Sequence, residues 1–151
     1  MLDDIDRRIL RQLQAAPGLT SAELSERCGL SAASCWRRIE AMEAAGVILG
    51  REAVIDWAAL GYAVEVSLRF TLDKAQPRAF DEFLAAAREV PEVLEMQTFL
   101  GRVDVRLSVI ARDLAHYQQI YRDRILTLPH VADIEPLMHI ARIKSEEMLP
   151  L

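Results

Sequence analysis

Between Asp3 and Gly46, apolar residues recur three and four positions apart, the spacing that lines one face of an α-helix. Ile5, Ile9, Leu10 and Leu13 form the first stripe. Asp3 is suited to cap that helix, and Pro17-Gly18 ends it. Thr20 followed by Glu23 is a capping box, so a second helix starts there. Gly29 can take the left-handed conformation that stops it, and Ser31 can cap a third. On that third helix Cys35, Ile39 and Met42 share one side, Ala33 and Arg37 point away, and Ser34 lies at the edge of the outer face. Gly46 closes it. Helices this short do not stand alone in water, so the spacing predicts a three-helix unit packed on itself.

Val47-Ile48-Leu49 opens an extended segment that runs to about Asp56, and Trp57 to Gly61 reads as a turn at the domain boundary. Beyond it the period becomes two. Val64, Val66, Leu68, Phe70 and Leu72 alternate with Glu65, Ser67, Arg69 and Thr71, the pattern of a half-buried strand. A helix opening near Pro77 turns Phe80, Phe83, Leu84 and Ala87 to one side. An internal repeat follows. Val90-Pro91-Glu92-Val93 is echoed by Leu128-Pro129-His130-Val131, and the strand from Val64 to Phe70 by one from Val103 to Val109. The second helix carries Leu114, Tyr117, Ile120, Tyr121 and Ile125 inward. Residues 62–143 therefore read βαββαβ, a four-stranded antiparallel sheet with both helices on one face, the ferredoxin-like arrangement.

The predicted class is α+β: a helix-turn-helix domain over 1–49, a linker strand and turn over 50–61, and the ferredoxin-like sandwich over 62–151. The helix-free sheet face carries Glu65, Arg69, Asp104, Arg106 and His139 with Leu137 and Ile143, a mixture suited to burial against a second copy, the alternative being a plain solvated face.

A helix with an apolar inner stripe and a small, polar, arginine-bearing outer face suits the major groove of DNA. The candidate contacts are Ser21, Ser31, Ala32, Ala33, Ser34, Trp36, Arg37 and Arg38. The small residues from Ser31 to Ser34 let the backbone come close to DNA and offer hydroxyls to it. The alternative for Arg37 and Arg38 is a solvated helix face. Charge tempers the picture, because the formal net charge is −5 and the pI about 5.2. Residues 1–60 alone carry seven Arg against nine Asp plus Glu. Affinity must then come from local placement and from several copies acting together, which predicts an oligomer.

At 52% hydrophobic and 27% charged, the 151 residues can bury a core. The acidic start MLDDIDRR is unlike a signal peptide and no apolar run is long enough to span a bilayer, so a cytoplasmic protein without membrane contact is expected. Cys28 and Cys35 read as reduced core thiols. His116, His130 and His139 are scattered without ligand spacing, so neither a metal nor another cofactor is expected. Gly101-Arg102-Val103-Asp104 reads as a turn or bulge between strands. Asp104 and the backbone at Gly101 could also hold the charged ends of a small zwitterion.

In this order the parts resemble the leucine-responsive/asparagine-responsive (Lrp/AsnC) family of transcriptional regulators, over nearly the whole chain. The resemblance rests on Ile5-Asp6-Arg7-Arg8-Ile9-Leu10, Ala22-Glu23-Leu24-Ser25 with Gly29-Leu30-Ser31, and Cys35-Trp36-Arg37-Arg38-Ile39. It continues through Glu43-Ala44-Ala45-Gly46-Val47-Ile48, Leu60-Gly61, the Gly101 and Asp104 pair, and Leu149-Pro150-Leu151. It implies binding of double-stranded DNA at pseudo-palindromic sites through the helix starting at Ser31. It also implies homodimers that assemble to octamers or similar, and an amino-acid effector held between dimers. Ligand roles then fall on Leu100, Gly101, Arg102, Asp104, Ala132 and Ile134.

Departures accompany the likeness. Position 102, often acidic in the family, is arginine, Val103 replaces a common aromatic, Glu146-Glu147 replaces a threonine pair, and Gly50-Arg51 replaces a frequent Gly-Tyr. The arginine and the two carboxylates change the ligand's charge preference or mark a vestigial pocket, whereas Gly50-Arg51 reads as a surface change only. Two further functions fit the same layout. Siroheme decarboxylases share it, but their histidine-bearing, arginine-rich cluster has no counterpart in the sequence. The other is an assembly module without specific DNA reading.

Overall fold

The computed structural model describes residues 2–145 and 148–151, so the Glu146-Glu147 departure lies outside the described residues. The chain forms two compact units. One holds the residues up to Val54 together with the described residues from Lys144 on; the other is Ile55–Ile143.

In the first unit, α1 (Asp4–Ala15), α2 (Ser21–Cys28) and α3 (Ala32–Ala44) enclose Ile9, Leu24, Cys28, Cys35, Ile39 and Met42. Local chemistry sets each end. The Asp6 amide donates to Asp3 Oδ1 at 2.8 Å and the Asp3 amide to Asp6 Oδ2 at 3.1 Å, a reciprocal capping box. Thr20 and Glu23 repeat it on α2. Gly29 stops α2 at φ 65°, and the Ser34 amide donates to Ser31 Oγ at 3.2 Å to open α3. Beyond α3, Gly46 at φ 69° lets its amide donate to the Glu43 carbonyl and the Val47 amide to that of Met42, a Schellman closure. Burial pushes the Cys28 and Cys35 thiols up, which keeps both protonated and inert.

The second unit runs β1 (Val64–Leu72), α4 (Ala79–Arg88), β2 (Val93–Thr98), β3 (Val105–Ala111), α5 (Leu114–Ile120) and β4 (Val131–Met138). The sheet order is β2-β3-β1-β4, and every neighbouring pair is antiparallel, the ferredoxin-like topology expected from the repeat. Val66, Leu68 and Phe70 of β1 are fully buried and Leu72 nearly so, packed with Phe83 of α4, Leu107 of β3 and Ile120 of α5. The Phe70 and Phe83 rings tilt together with centroids 4.9 Å apart.

Four details differ from the pattern-based expectation. The helix placed near Pro77 begins at Ala79. The second helix changes at Tyr121 into a π-helical turn, Tyr121–Ile125, that rolls Ile125 fully into the core. Leu114, expected inward, is 53% exposed at that helix's first position. β3 starts at Val105 instead of Val103; just before it, the Asp104 amide still donates to Phe70 O at 2.8 Å while the Asp104 side chain accepts from the Leu72 amide.

Among the described residues, 47–56 join no strand. The sequence pattern groups the last residues with the sandwich, whereas in the structure they lie along α1. The Leu149 amide donates to Gln14 Oε1 at 2.6 Å and Arg11 Nε donates to the Leu151 carbonyl at 2.8 Å. Among the described residues no helix is long and apolar enough to cross a membrane.

Truncating the fully buried Phe83 removes the partner of Phe70 and leaves a cavity under the centre of the sheet. Phe83→Ala should cost about 3–5 kcal/mol of unfolding free energy. Urea denaturation followed by circular dichroism checks this, and a loss under about 1 kcal/mol would contradict the packing described.

Candidate nucleic-acid interface and effector site

The outer face of α3 is made by exclusion. Cys35, Ile39 and Met42 occupy the buried side, so Ala32, Ala33, Trp36, Arg37 and Glu40 are left exposed. Trp36 is 53% exposed, large for an indole on a helix that already has a core-facing stripe. Ser31 is exposed at the cap and Ser21 at the start of α2, while Ser34 is half-buried. Arg37 has no ion pair or hydrogen bond among the described residues.

Arg38 is placed differently. Its Nη1 donates to Asp3 Oδ2 at 2.8 Å and to Asp6 Oδ1 at 2.7 Å, so it staples α3 to the capping box of α1. The Asp6 amide, and after it Arg38, hold the Asp3 carboxyl below its ordinary range. The two acidic side chains of the box are thereby neutralised within the unit. Arg8 acts similarly, donating to the Cys28 carbonyl at 3.2 Å, where the end of α2 needs a donor.

The residues assigned to an effector meet at one end of the sheet, around the last residues of β1. Thr71 Oγ1 donates to the Arg102 carbonyl at 3.2 Å, and the Asp104 amide donates to Phe70 O at 2.8 Å. On the other side, Phe70 pairs with Ile134 and Thr71 with Asp133 of β4. The structure therefore brings the 101–104 loop and the start of β4 to opposite sides of Thr71.

Individual placements vary. Leu100 is fully exposed at the hairpin tip. Gly101 sits at φ 156°, which L side chains rarely adopt, with nothing within 4 Å of the Cβ it lacks, so the space above the loop is open. Arg102 is exposed and has no partner for its guanidinium among the described residues. Ala132 is exposed, whereas Ile134 is half-buried against the core. Both belong to an open cleft of about 550 Å³ that Asp73, Tyr121, His130 and Asp133 also line.

Asp104 is the most constrained member, with its side chain 3% exposed. Oδ2 accepts from the Leu72 amide at 2.9 Å and Oδ1 lies 2.8 Å from Lys74 Nζ. Burial pushes this carboxyl up, but the Lys74 ammonium and the Leu72 amide outweigh it, and the net shift is downward. A ligand ammonium could reach Asp104 only by displacing Lys74. Sequence reasoning missed Lys74 because it lies in a loop of no recognisable motif; only its place two residues beyond the strand hinted at it.

The helix-free sheet face is wired within the chain. Arg106 pairs with Glu95 at 2.9 Å, and Glu65 accepts from Arg142 at 2.7 Å and lies 3.2 Å from His139 Nδ1. The three histidines sit apart, and His130 contacts Glu82 at 2.5 Å while holding a left-handed φ of 60°. Among the described residues no group of three or more His, Cys, Asp or Glu could hold a metal ion. Tyr117 is buried, which pushes its hydroxyl up to about 12 and keeps it a neutral core ring.

Because the folded Asp104 carboxyl titrates below its unfolded value, it contributes stability above pH ~4, lost as pH falls through the folded value. Lys74→Gln strands that carboxylate and should lower stability at pH 7 by on the order of 1 kcal/mol, discounted for the exposure of Lys74. The deficit should shrink toward pH 4 as Asp104 takes up a proton in the variant. Urea denaturation of both proteins at pH 7 and pH 4 reads this, and an equal deficit at both values would contradict it.

Comparison with known proteins agrees with both units. Residues 2–48 match a winged helix-turn-helix DNA-binding family, and residues 65–149 match the Lrp/AsnC ligand binding domain. The chain is 33% identical over 150 residues to the glutamate uptake regulatory protein of Zymomonas mobilis, covering 99% of this chain and 91% of that one. It is 36% identical over 132 residues to the proline dehydrogenase transcriptional activator of Rhodobacter capsulatus, covering 87% and 86%. A Neisseria meningitidis transcriptional regulator, solved as its L-methionine complex, superposes with a TM-score of 0.92 at 30% identity, over 99% of this chain and 97% of that one. With both halves matched in order, and relatives this similar over most of its length, the chain belongs to the Lrp/AsnC family of transcriptional regulators.

Proposed function

We propose that the protein regulates transcription by placing α3 in the major groove of pseudo-palindromic DNA sites, and that an amino acid bound at the β1–β4 end of the sheet changes its assembly. The observation that carries the DNA reading is the contrast between two adjacent arginines. Arg38 is committed to Asp3 and Asp6, whereas Arg37 stands unpaired on the exposed face beside Ala33 and Trp36. Arg37 is the base reader, able to fork onto guanine, while Ser21, Ser31, Ser34 and the exposed backbone near Ala32 position the helix on phosphates. Arg38 serves by holding α3 against α1.

Copies act together in this reading. Leu49 and Val54 are 94% and 98% exposed in a segment with no strand partner among the described residues, which supports pairing with a second copy. A homodimer presents two recognition helices to half-sites about one helical turn apart, and further assembly toward an octamer offsets the acidic net charge by multivalency. The effector acts through unequal affinity for alternative assemblies. The L-methionine held by the Neisseria relative supports an amino acid in that role. Relatives that are transcriptional regulators support a non-enzymatic protein working in the cytoplasm, where its DNA lies.

Arg37→Ala tests the reading. The variant should fold as the parent does by circular dichroism, yet lose about 1–3 kcal/mol of discrimination between its own upstream region and scrambled DNA, measured by fluorescence anisotropy. Unchanged discrimination in a folded variant would remove α3 from the groove.

A further inference from the structure

The charges at the effector end of the sheet do not balance locally. Asp104 is the one carboxylate of the 99–104 hairpin loop, and its side chain is 3% exposed with both oxygens occupied. One cation satisfies it, and Lys74 supplies that cation at 2.8 Å. Arg102 is then a second, surplus cation, exposed two residues away and without a partner of its own among the described residues. Lys74 is itself only half-sheltered, with 58% of its side chain exposed. An ammonium has three donors, and Asp104 Oδ1 uses one. The outward surface of this loop is consequently a pair of cations over a sunken, already neutralised carboxylate.

The opposite side of Thr71 has the reverse sign. Asp133, its cross-strand partner on β4, is exposed and has no ion pair among the described residues. Asp73 also lines that cleft, but its Oδ1 already accepts from the Ala75 amide at 3.0 Å. Glu82 and His130 are taken up with each other. The end of the sheet is thus polarised, with an acidic rim at β4 and a cationic rim at the loop, and open space above Gly101.

Taking as its basis the effector reading above, we propose that Lys74 and Arg102 form a carboxylate-selecting pair that tunes this site to a dicarboxylic amino acid. The ligand's ammonium faces Asp133. Its two carboxylates face the loop, where the planar Arg102 fork takes one in a bidentate contact and the remaining Lys74 donors assist. A neutral side chain would leave the surplus charge of Arg102 unanswered. A cationic one would be repelled by it.

The test compares each acid with its amide, which has nearly the same shape and no charge. Full-length protein is titrated calorimetrically with L-glutamate and L-glutamine, and with L-aspartate and L-asparagine. At least one acid should bind about tenfold or more tightly than its amide. Arg102→Gln, at an exposed position with no bond of its side chain to lose, should bring that ratio close to one by weakening the acid far more than the amide. Lys74→Arg, which keeps the ion pair to Asp104, should retain the preference. Amides binding as well as acids, or a ratio unmoved by Arg102→Gln, would overturn the carboxylate pair and leave an amino-acid effector standing. If none of the four probes binds but L-leucine or L-methionine does, the carboxylate pair likewise falls alone. If no amino acid binds at all, the effector reading falls together with it.

Discussion

Everything in the second unit is hung on the burial of β1. This strand has a hydrogen-bonded neighbour on each side, and its alternate side chains Val66, Leu68, Phe70 and Leu72 are withdrawn from water under the helices. A slip of one residue would turn those four outward and bring Glu65, Ser67, Arg69 and Thr71 into the core, so no other register is tolerated. Fixing the register fixes where the strand ends. There Thr71 and Leu72 become the common neighbours of the 101–104 loop and of β4. The candidate effector site is a consequence of where a hydrophobic pattern stops.

The acidic composition of a DNA-binding unit becomes intelligible once its charges are assigned. Asp3 and Asp6 cap α1 and are answered by Arg38; Glu23 caps α2 through Thr20. These carboxylates are engaged at helix N-termini, where the macrodipole favours negative charge. What a DNA backbone would meet is decided by the exposed remainder on α3, and net charge is a poor guide to it.

Much of this was legible in the sequence wherever the cause is local. Helix caps depend on residues three apart, so Asp3, Thr20 and Ser31 announced themselves, as did the left-handed Gly29. Strand β1 was equally plain, because strict alternation over nine residues matches the two-residue period of a strand and no helical period. The sequence could not show which of two adjacent arginines is free, since the partners of Arg38 lie 32 and 35 positions away. Lys74 was hidden for the same reason, 30 residues from Asp104 and dependent on the turn that follows β1. The π-helical turn at Tyr121–Ile125 answers to packing of Ile125 against the sheet, and no helical periodicity encodes an extra residue per turn.

The clasp on Glu65 has an optical consequence. Arg142 bonds Glu65 and also lies 6.0 Å from the Trp57 ring centroid, so a cation is held beside that indole. The chain has one other tryptophan, Trp36, which stands exposed on α3. Each compact unit therefore contains a single indole fluorophore with its own surroundings, one against water and one against a guanidinium. Light emitted by Trp36 and Trp57 can tell apart what happens at α3 and what happens at the root of the sheet, with no label added.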